Sequence, residues 1–293
     1  MNYKQKIMKK LLFLFVMLAF GLTSFTQTNT FNNGGSGGDW NVDGNWSLNH
    51  VPLATENVVI PDGENVTIQS TTNAVAYSVS VNGGGSLTDL GTLTIEITTV
   101  TSGEGRIWMD RNLGASQVAT RSTDTAAYGD LYQWGRFTEG HQIRTSGATL
   151  TQATTSTPGA GNGWDGLFIT PESESDWLSS SNNGLWQGLA GTNNPCPGDF
   201  RIPTKDEWDT EITSWGDGNN NAAGAFVSPL GLTMGGFRAR TSGGSITNAG
   251  SQGYYWASTV DVIASYYLLI DSGDAFTNTG ARAYGYSVRC IKD

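Results

Sequence analysis

Glycine occupies 39 of the 293 positions, and no other feature limits this chain's fold so strongly. Glycine is unfavourable inside helices and strands and favourable wherever the backbone must turn sharply. A chain punctuated this often cannot sustain long helices; it must build short strands joined by many turns. Charged residues supply only 14% of the sequence while aromatics reach 11%, against about a quarter charged in an average globular domain. A turn-rich β protein with few solvated helix faces is expected. The length suits two domains better than one.

The first residues read as an export signal. Lys4, Lys6, Lys9 and Lys10 precede the apolar run Leu11 to Leu22, which the small or polar stretch Thr23-Ser24-Phe25-Thr26 closes. Basic, apolar and cleavage segments in that order make a secretory signal peptide, assigned to residues 1–26 with the cut near Thr26/Gln27. The apolar run rises only about 18 Å as a helix, whereas a bilayer span takes roughly 20 residues. No membrane span is therefore expected in the mature chain. Loss of the signal removes four of sixteen basic residues and none of the 26 acids, taking the formal charge from −10 to −14. No remaining Lys/Arg cluster could neutralise phosphates, which excludes nucleic acid as a partner. Both cysteines, Cys196 and Cys290, lie in the exported part, where oxidation is permitted. They lack the C-x-x-C spacing of a redox pair, so a structural disulfide is expected rather than a catalytic thiol.

Charge also divides the mature chain. From Gln27 to Val100 there is no Lys or Arg, and every mature basic residue lies at or after Arg106. Thr98 to Gly103 is the expected joint. Residues 27–39, containing FNNGGSGG, read as a flexible lead-in, and 40–100 as a β-rich module. Within it Val58-Val59-Ile60, Val66-Thr67-Ile68, Val79-Ser80-Val81 and Leu93 to Ile97 alternate with period two between Gly-rich turns, the strand signal. Strands this short and evenly spaced fit a small sandwich or the stacked rungs of a β-solenoid. The run WNVDGNWSLNHVP with ENVVIPDGENVTI resembles the opening of extracellular β-helix modules.

In the second region, 104–293, one helix stands out. Thr204-Lys205-Asp206-Glu207 has the form of a capping box, after which Trp208, Ile212 and Trp215 share one apolar face and Gly216 ends the segment, predicting a helix of about ten residues. Strand-like pieces follow at 235–240, 253–259, 265–270 and 286–291. One main helix among many strands predicts an irregular α+β domain.

The motifs GRIWMDRNL (105–113), YGDLYQWGR (128–136), NPCPGDFRIPTKDEW (194–208), GYYWAST (253–259) and YGYSVRCIKD (284–293) resemble, in order and over nearly all of 104–293, the Fibrobacter succinogenes major paralogous domain family. That family is exported, occurs in Bacteroidetes and Fibrobacter bacteria, and has no assigned biochemical activity. The RIPTKDEW and SVRC segments are also similar to the formylglycine-generating, sulfatase-modifying enzymes. The resemblance implies a C-type-lectin-like domain in which Cys196 pairs with Cys290. It does not carry over those enzymes' chemistry, because their close pair of reactive cysteines is missing.

Catalytic signatures are otherwise weak. Gly34 to Gly38 satisfies G-x-S-x-G and Gly161 to Gly166 satisfies G-x-G-x-x-G, but neither sits between a strand and a helix as those motifs require. His50 and His141, the only histidines, fall in different regions, so no zinc site is expected. Asp217 to Asn221 lacks the glycine and glutamate of a calcium loop and reads as a polar turn. No metal or cofactor is expected. Glu172, Glu174 and Asp176 could supply a glycosidase pair, though a solvated acidic loop explains them as well. The long polar segment 140–195 carries Trp164, Trp177 and Trp186, which with Asp176 form the candidate binding set. Exposed tryptophans stack on sugars and anchor protein partners; buried ones would simply pack the loop down. The function expected is an exported, non-catalytic binding or adhesion protein for polysaccharide or a cell-surface glycan. A surface-assembly protein, with a surface-protein partner, and a polysaccharide-active enzyme are the alternatives.

Overall fold

A computed structural model describes residues 28–293 apart from 35–36, 53–56, 62, 71–72, 77, 82–85, 90, 96, 158–161 and 172–174. The expected signal peptide and the carboxylates Glu172 and Glu174 lie outside the described residues. Among the described residues the protein is mostly β, with two short α-helices.

In the first unit every strand pair is parallel. β1 (Thr28–Thr30), β2 (Asn57–Ile60) and β5 (Ser78–Val81) form one sheet; β3 (Asn65–Ile68) pairs with β6 (Ser86–Asp89), and β4 (Asn73–Ala76) with β7 (Thr92–Ile95). Strands β2 to β4 thus make one coil and β5 to β7 the next, stacked in register. Of the two arrangements open from sequence, the solenoid-like one is found. Period-two alternation sends Val58, Ile60, Val66, Ile68, Ala74 and Ala76 inward, where all are buried. Phe31, Trp40 and Trp46 close the end of this core, Trp46 edge-on to both other rings and its indole N–H donating to the Trp40 carbonyl at 2.8 Å.

Two boundaries move. The flexible lead-in is corrected: β1 is the outer strand of a parallel sheet, Phe31 is buried, and the Trp40 N–H donates to the Thr67 carbonyl. Gly38 makes that approach possible, since it sits at φ +74° and a Cβ there would lie 2.6 Å from the Asn65 carbonyl oxygen. At the other end, β8 (Thr99–Thr101) pairs with β9 (Ile107–Met109) and belongs to the second unit.

The second unit opens and closes on one antiparallel sheet, β13–β20–β9–β8, with β13 at Phe200–Arg201 and β20 at Ile291–Lys292. A second sheet joins β10 (Tyr132–Gln133), β19 (Gly285–Tyr286), β14 (Phe237–Arg238) and β15 (Ile246–Thr247); β11 (Ala148–Thr149) pairs with β12 (Phe168–Ile169). The longest strands, β16 (Gly253–Asp261), β17 (Ala264–Ile270) and β18 (Ala275–Ala281), form a meander. Alternation along it feeds two cores. Tyr254, Trp256 and Tyr267 enter one, while Tyr255, Ala257, Leu268 and Ile270 enter the other with Trp208 and Ile212.

Helix α1 (Lys205–Ser214) has the predicted capping box between Thr204 and Glu207, and Gly216 follows it at φ +83°. The expected polar turn leads into a second helix, α2 (Ala222–Val227), capped by the Asn221 side chain. Cys196 and Cys290 are joined across 94 positions of sequence, tying the loop before β13 to the segment before β20. The chain-entropy account gives about 4 to 5 kcal/mol for closing a loop of that size. Replacing both cysteines by serine should lower the urea unfolding free energy by about that amount; an unchanged midpoint would show that the bridge closes nothing the core does not already hold.

Candidate functional site

The candidate tryptophans are brought together, but inward. Trp164, Trp177 and Trp186 are 2%, 1% and 0% exposed. Trp164 and Trp177 lie 6.2 Å apart with the Arg136 guanidinium 5.3 Å from each ring. Their π faces are therefore occupied by an internal cation. The Trp177 N–H donates to the Trp134 carbonyl at 2.6 Å, and the Trp186 N–H to the Asn193 carbonyl at 2.8 Å. Asp176 is buried too, 3.6 Å from Arg282 and accepting from the Leu178 N–H, and burial pushes its carboxyl up. Of the two readings open for these residues, stacking platform or packed loop, the burial is that of the second: they pack a long polar loop onto the core.

Arg136 anchors a buried polar cluster. It pairs with Glu139 and donates to Gln133 Oε1 at 2.7 Å and the Leu167 carbonyl at 3.0 Å. Glu139 accepts from the Gly166 N–H at 2.6 Å and lies 2.6 Å from His141 Nδ1. His141 Nε2 accepts from the Gln133 N–H at 3.1 Å, which assigns the ring proton to Nδ1 and leaves the imidazole neutral. Burial, with the Arg136 charge adding to it, lowers His141 to about 4. Fully buried and engaged at both ring nitrogens, His141 ties Glu139 to the Gln133 backbone.

The half-buried Asp130 opposes it in sign, because desolvation raises its carboxyl to about 6 despite Arg144 nearby.

A different aromatic group reaches the surface. Phe237 of β14, Tyr254 of β16, Tyr267 of β17, Tyr286 of β19 and Tyr284 form a continuous stack: Phe237 to Tyr254 is 4.9 Å, Tyr254 to Tyr286 5.1 Å, Tyr267 to Tyr286 4.7 Å, and Tyr284 lies parallel to Tyr286 at 5.8 Å. The register Tyr254↔Leu269↔Phe276 extends the row across the meander on the same face. Phe237, Leu269 and Tyr284 are half-buried, and Phe276 is 39% exposed. Gly280 keeps the middle thin, since a Cβ there would lie 3.0 Å from the Tyr267 ring. Polar groups border the row. The Tyr254 hydroxyl donates to Gln252 Oε1 at 2.5 Å and accepts from Asn248 Nδ2 at 3.2 Å, and the Arg240 guanidinium sits 5.8 Å from the Tyr284 ring. Burial pushes the Tyr254 and Tyr286 phenols up, so both stay protonated donors at neutral pH. The alternation in GYYWAST, which separates Tyr254 and Trp256 from Tyr255, was the sequence signal for this face.

A cavity of about 250 Å³ lies beside the first turns of α1, lined by Glu104, Arg106, Glu207 and Glu211 among others. Its chemistry is largely internal: Glu207 is held by Arg201, Arg106 and the Thr204 N–H, and Glu211 accepts from the Trp215 indole. Among the described residues no three His, Cys, Asp or Glu side chains converge on a metal position, and no helix is long and apolar enough to cross a membrane.

A family model described as a domain of unknown function (DUF8693) matches residues 31–130, the solenoid-like unit plus the opening strands and loops of the second. No curated protein and no solved structure matches the chain.

Two outcomes follow from the buried cluster. Arg136→Met leaves Glu139 without its main counter-charge and should cost about 3 to 5 kcal/mol in urea unfolding; parent-like stability would remove Arg136 from its anchoring role. His141 stays neutral in the fold while the unfolded chain takes up a proton, so its contribution weakens as pH falls from about 6.5 towards 4. Asp130 works the other way, since the fold retains a proton that the unfolded chain releases between about 3.8 and 6. Asp130→Asn should therefore lose stability more steeply than the parent between pH 6 and 4, checked by thermal unfolding across that window.

Proposed function

We propose that this is an exported, non-catalytic binding or adhesion protein whose aromatic row recognises neutral polysaccharide. The observation that carries the reading is the partly exposed row from Tyr284 through Phe237 and Tyr254 to Leu269 and Phe276. Pyranose rings present apolar C–H faces that suit aromatic surfaces, and the carboxamides of Asn248 and Gln252 beside the row can exchange hydrogen bonds with sugar hydroxyls. Charge supports a neutral ligand, since the mature chain expected from the sequence carries −14 and Arg136, Arg238, Arg282 and Arg289 are buried away from the surface. Export is supported by the disulfide, and the C-type-lectin-like expectation by the family resemblance of 104–293. The polysaccharide-active alternative gains nothing from Asp176, which is buried against Arg282.

A surface-assembly reading draws on the β16–β17 turn, where Val262 and Ile263 are 77% and 59% exposed; light scattering of the purified protein distinguishes it, a monomer at micromolar concentration counting against it. For the glycan reading, an array of neutral polysaccharides should show binding that Tyr284→Ala and Asn248→Ala each weaken at least tenfold while the thermal midpoint stays within a few degrees. Absence of binding above background, or binding indifferent to both substitutions, overturns it.

A further inference from the structure

Four Asn-Gly steps occur in the chain, at Asn33, Asn82, Asn162 and Asn183. Glycine leaves the following backbone nitrogen unhindered, so such steps are where an asparagine side chain can cyclise. Asn183 differs from the others among the described residues because a buried guanidinium holds its side-chain carbonyl. Arg282 Nη2 donates to Asn183 Oδ1 at 2.6 Å, while Asn183 itself lies in the exposed stretch 179–184. Arg282 is fixed by several partners: its Nε donates to Ser265 Oγ at 3.1 Å, its Nη2 also to the Ala264 carbonyl at 3.2 Å, and its plane lies 4.3 Å from the Trp134 ring. The nearest carboxylate is that of Asp176, at 3.6 Å.

We propose that Asn183 is a self-modification site, converted to aspartate with Arg282 as the activating group. The Gly184 nitrogen attacks Asn183 Cγ, and negative charge develops on Oδ1, where the guanidinium already donates. A fixed donor aimed at the oxygen that gains charge lowers the barrier without reorganising. The Gly184 N–H now donates to Asn182 Oδ1 at 2.9 Å, and that bond is released as the nitrogen turns to Cγ. The new N–Cγ bond replaces the Cγ–Nδ2 bond, ammonia leaves with the amide proton, and water opens the five-membered imide, giving aspartate where the N–Cγ bond breaks and its isomer isoaspartate where the bond to the backbone carbonyl breaks. The sum is asparagine plus water giving aspartate plus ammonia, with no oxidant or cofactor. Arg282 also favours the product, because a hydrogen bond to an ionised acceptor contributes more than one to a neutral amide.

The test needs no variant at first. The protein, native or unfolded in urea, is held at pH 8 and 37 °C, and peptide mass mapping follows the one-dalton gain at Asn183, with Asn162 as internal reference. The expected result is native conversion at Asn183 at least as fast as in the unfolded chain and several-fold faster than at Asn162. A native rate tenfold below the unfolded one, or no faster than that of Asn162, overturns the proposal. Arg282→Lys, or Ser265→Ala where the former does not fold, should slow conversion. Asn183→Asp should raise the thermal midpoint by roughly 2 °C or more; an unchanged or lower midpoint overturns the product half of the argument.

Discussion

The Arg136 guanidinium between Trp164 and Trp177 is the contact on which the second unit depends. Many strands there are only two residues long, so sheet ladders cannot satisfy most of the buried backbone. Every buried carbonyl still needs a donor. Loop backbone N–H groups supply some, as Leu131 does for Gln142, and side chains supply others. Arg136 serves Leu167; Arg238 serves Gly244, His141, Ile143 and Ser146; Arg289 serves Met109 and Leu230; Arg144 serves Gly129 and Gly235. Indole N–H groups do the same: Trp134 to Ala257, Trp177 to Trp134, Trp208 to Trp256 and Trp256 to Tyr132. A loop of low regularity becomes a fixed structure because planar donors with large apolar faces lie beneath it.

This accounts for the preference for arginine: from Gln27 onward the sequence has ten arginines and only Lys205 and Lys292 as lysines. A guanidinium offers five donors in one plane and stacks on aromatic rings, as Arg238 does on Phe168 and Arg282 on Trp134, both at 4.3 Å. An ammonium is a compact, strongly hydrated charge that does neither as well. The first unit uses the device only at its end, where the Trp46 indole donates to the Trp40 carbonyl and the Asn29 and Asn45 carboxamides to those of His50 and Asp39, and it uses no cation. Its parallel coils satisfy one another's backbone, and from Gln27 to Val100 it has no Lys or Arg. The charge step near residue 101 therefore marks a change in how backbone groups are satisfied. The family match at residues 31–130 runs across that step, as does the pairing of β8 with β9.

What sequence made legible follows the range of the forces involved. The capping box at Thr204 and the inward face of Trp208 and Ile212 are local and were readable in full. The alternation of Val58 to Ile60 and Val66 to Ile68 identified strands, but it is the same for a sandwich and a solenoid; only the parallel register of Asn57 with Ser78 separates them. β18 escaped because AFTNTGA lacks a continuous apolar face, and its place is fixed by pairing with β17. The tryptophans of 140–195 were legible as packing or as a surface, and sequence alone did not decide between the two for a physical reason. Polar neighbours are compatible with either, and the cation that the rings enclose, Arg136, lies 28 positions before Trp164, a pairing that no local pattern announces.

The aromatic row depends on that same interior. Phe237 precedes Arg238 on β14, so successive side chains of one strand face opposite ways: Arg238 turns inward to bind the carbonyls of 141–146, and Phe237 turns out to Tyr254 and Tyr284. Arg238 also pairs through its backbone with Gly285, whose neighbours Tyr284 and Tyr286 carry the rest of the stack. A Cβ at Gly285 would lie 2.8 Å from the Phe168 ring and 3.0 Å from the Arg238 side chain, so the glycine is what lets β19 close onto this contact. The row is therefore tied through β14 to a buried cation, and its rings are positioned by the fold itself. Rings fixed in this way have little side-chain freedom left to lose.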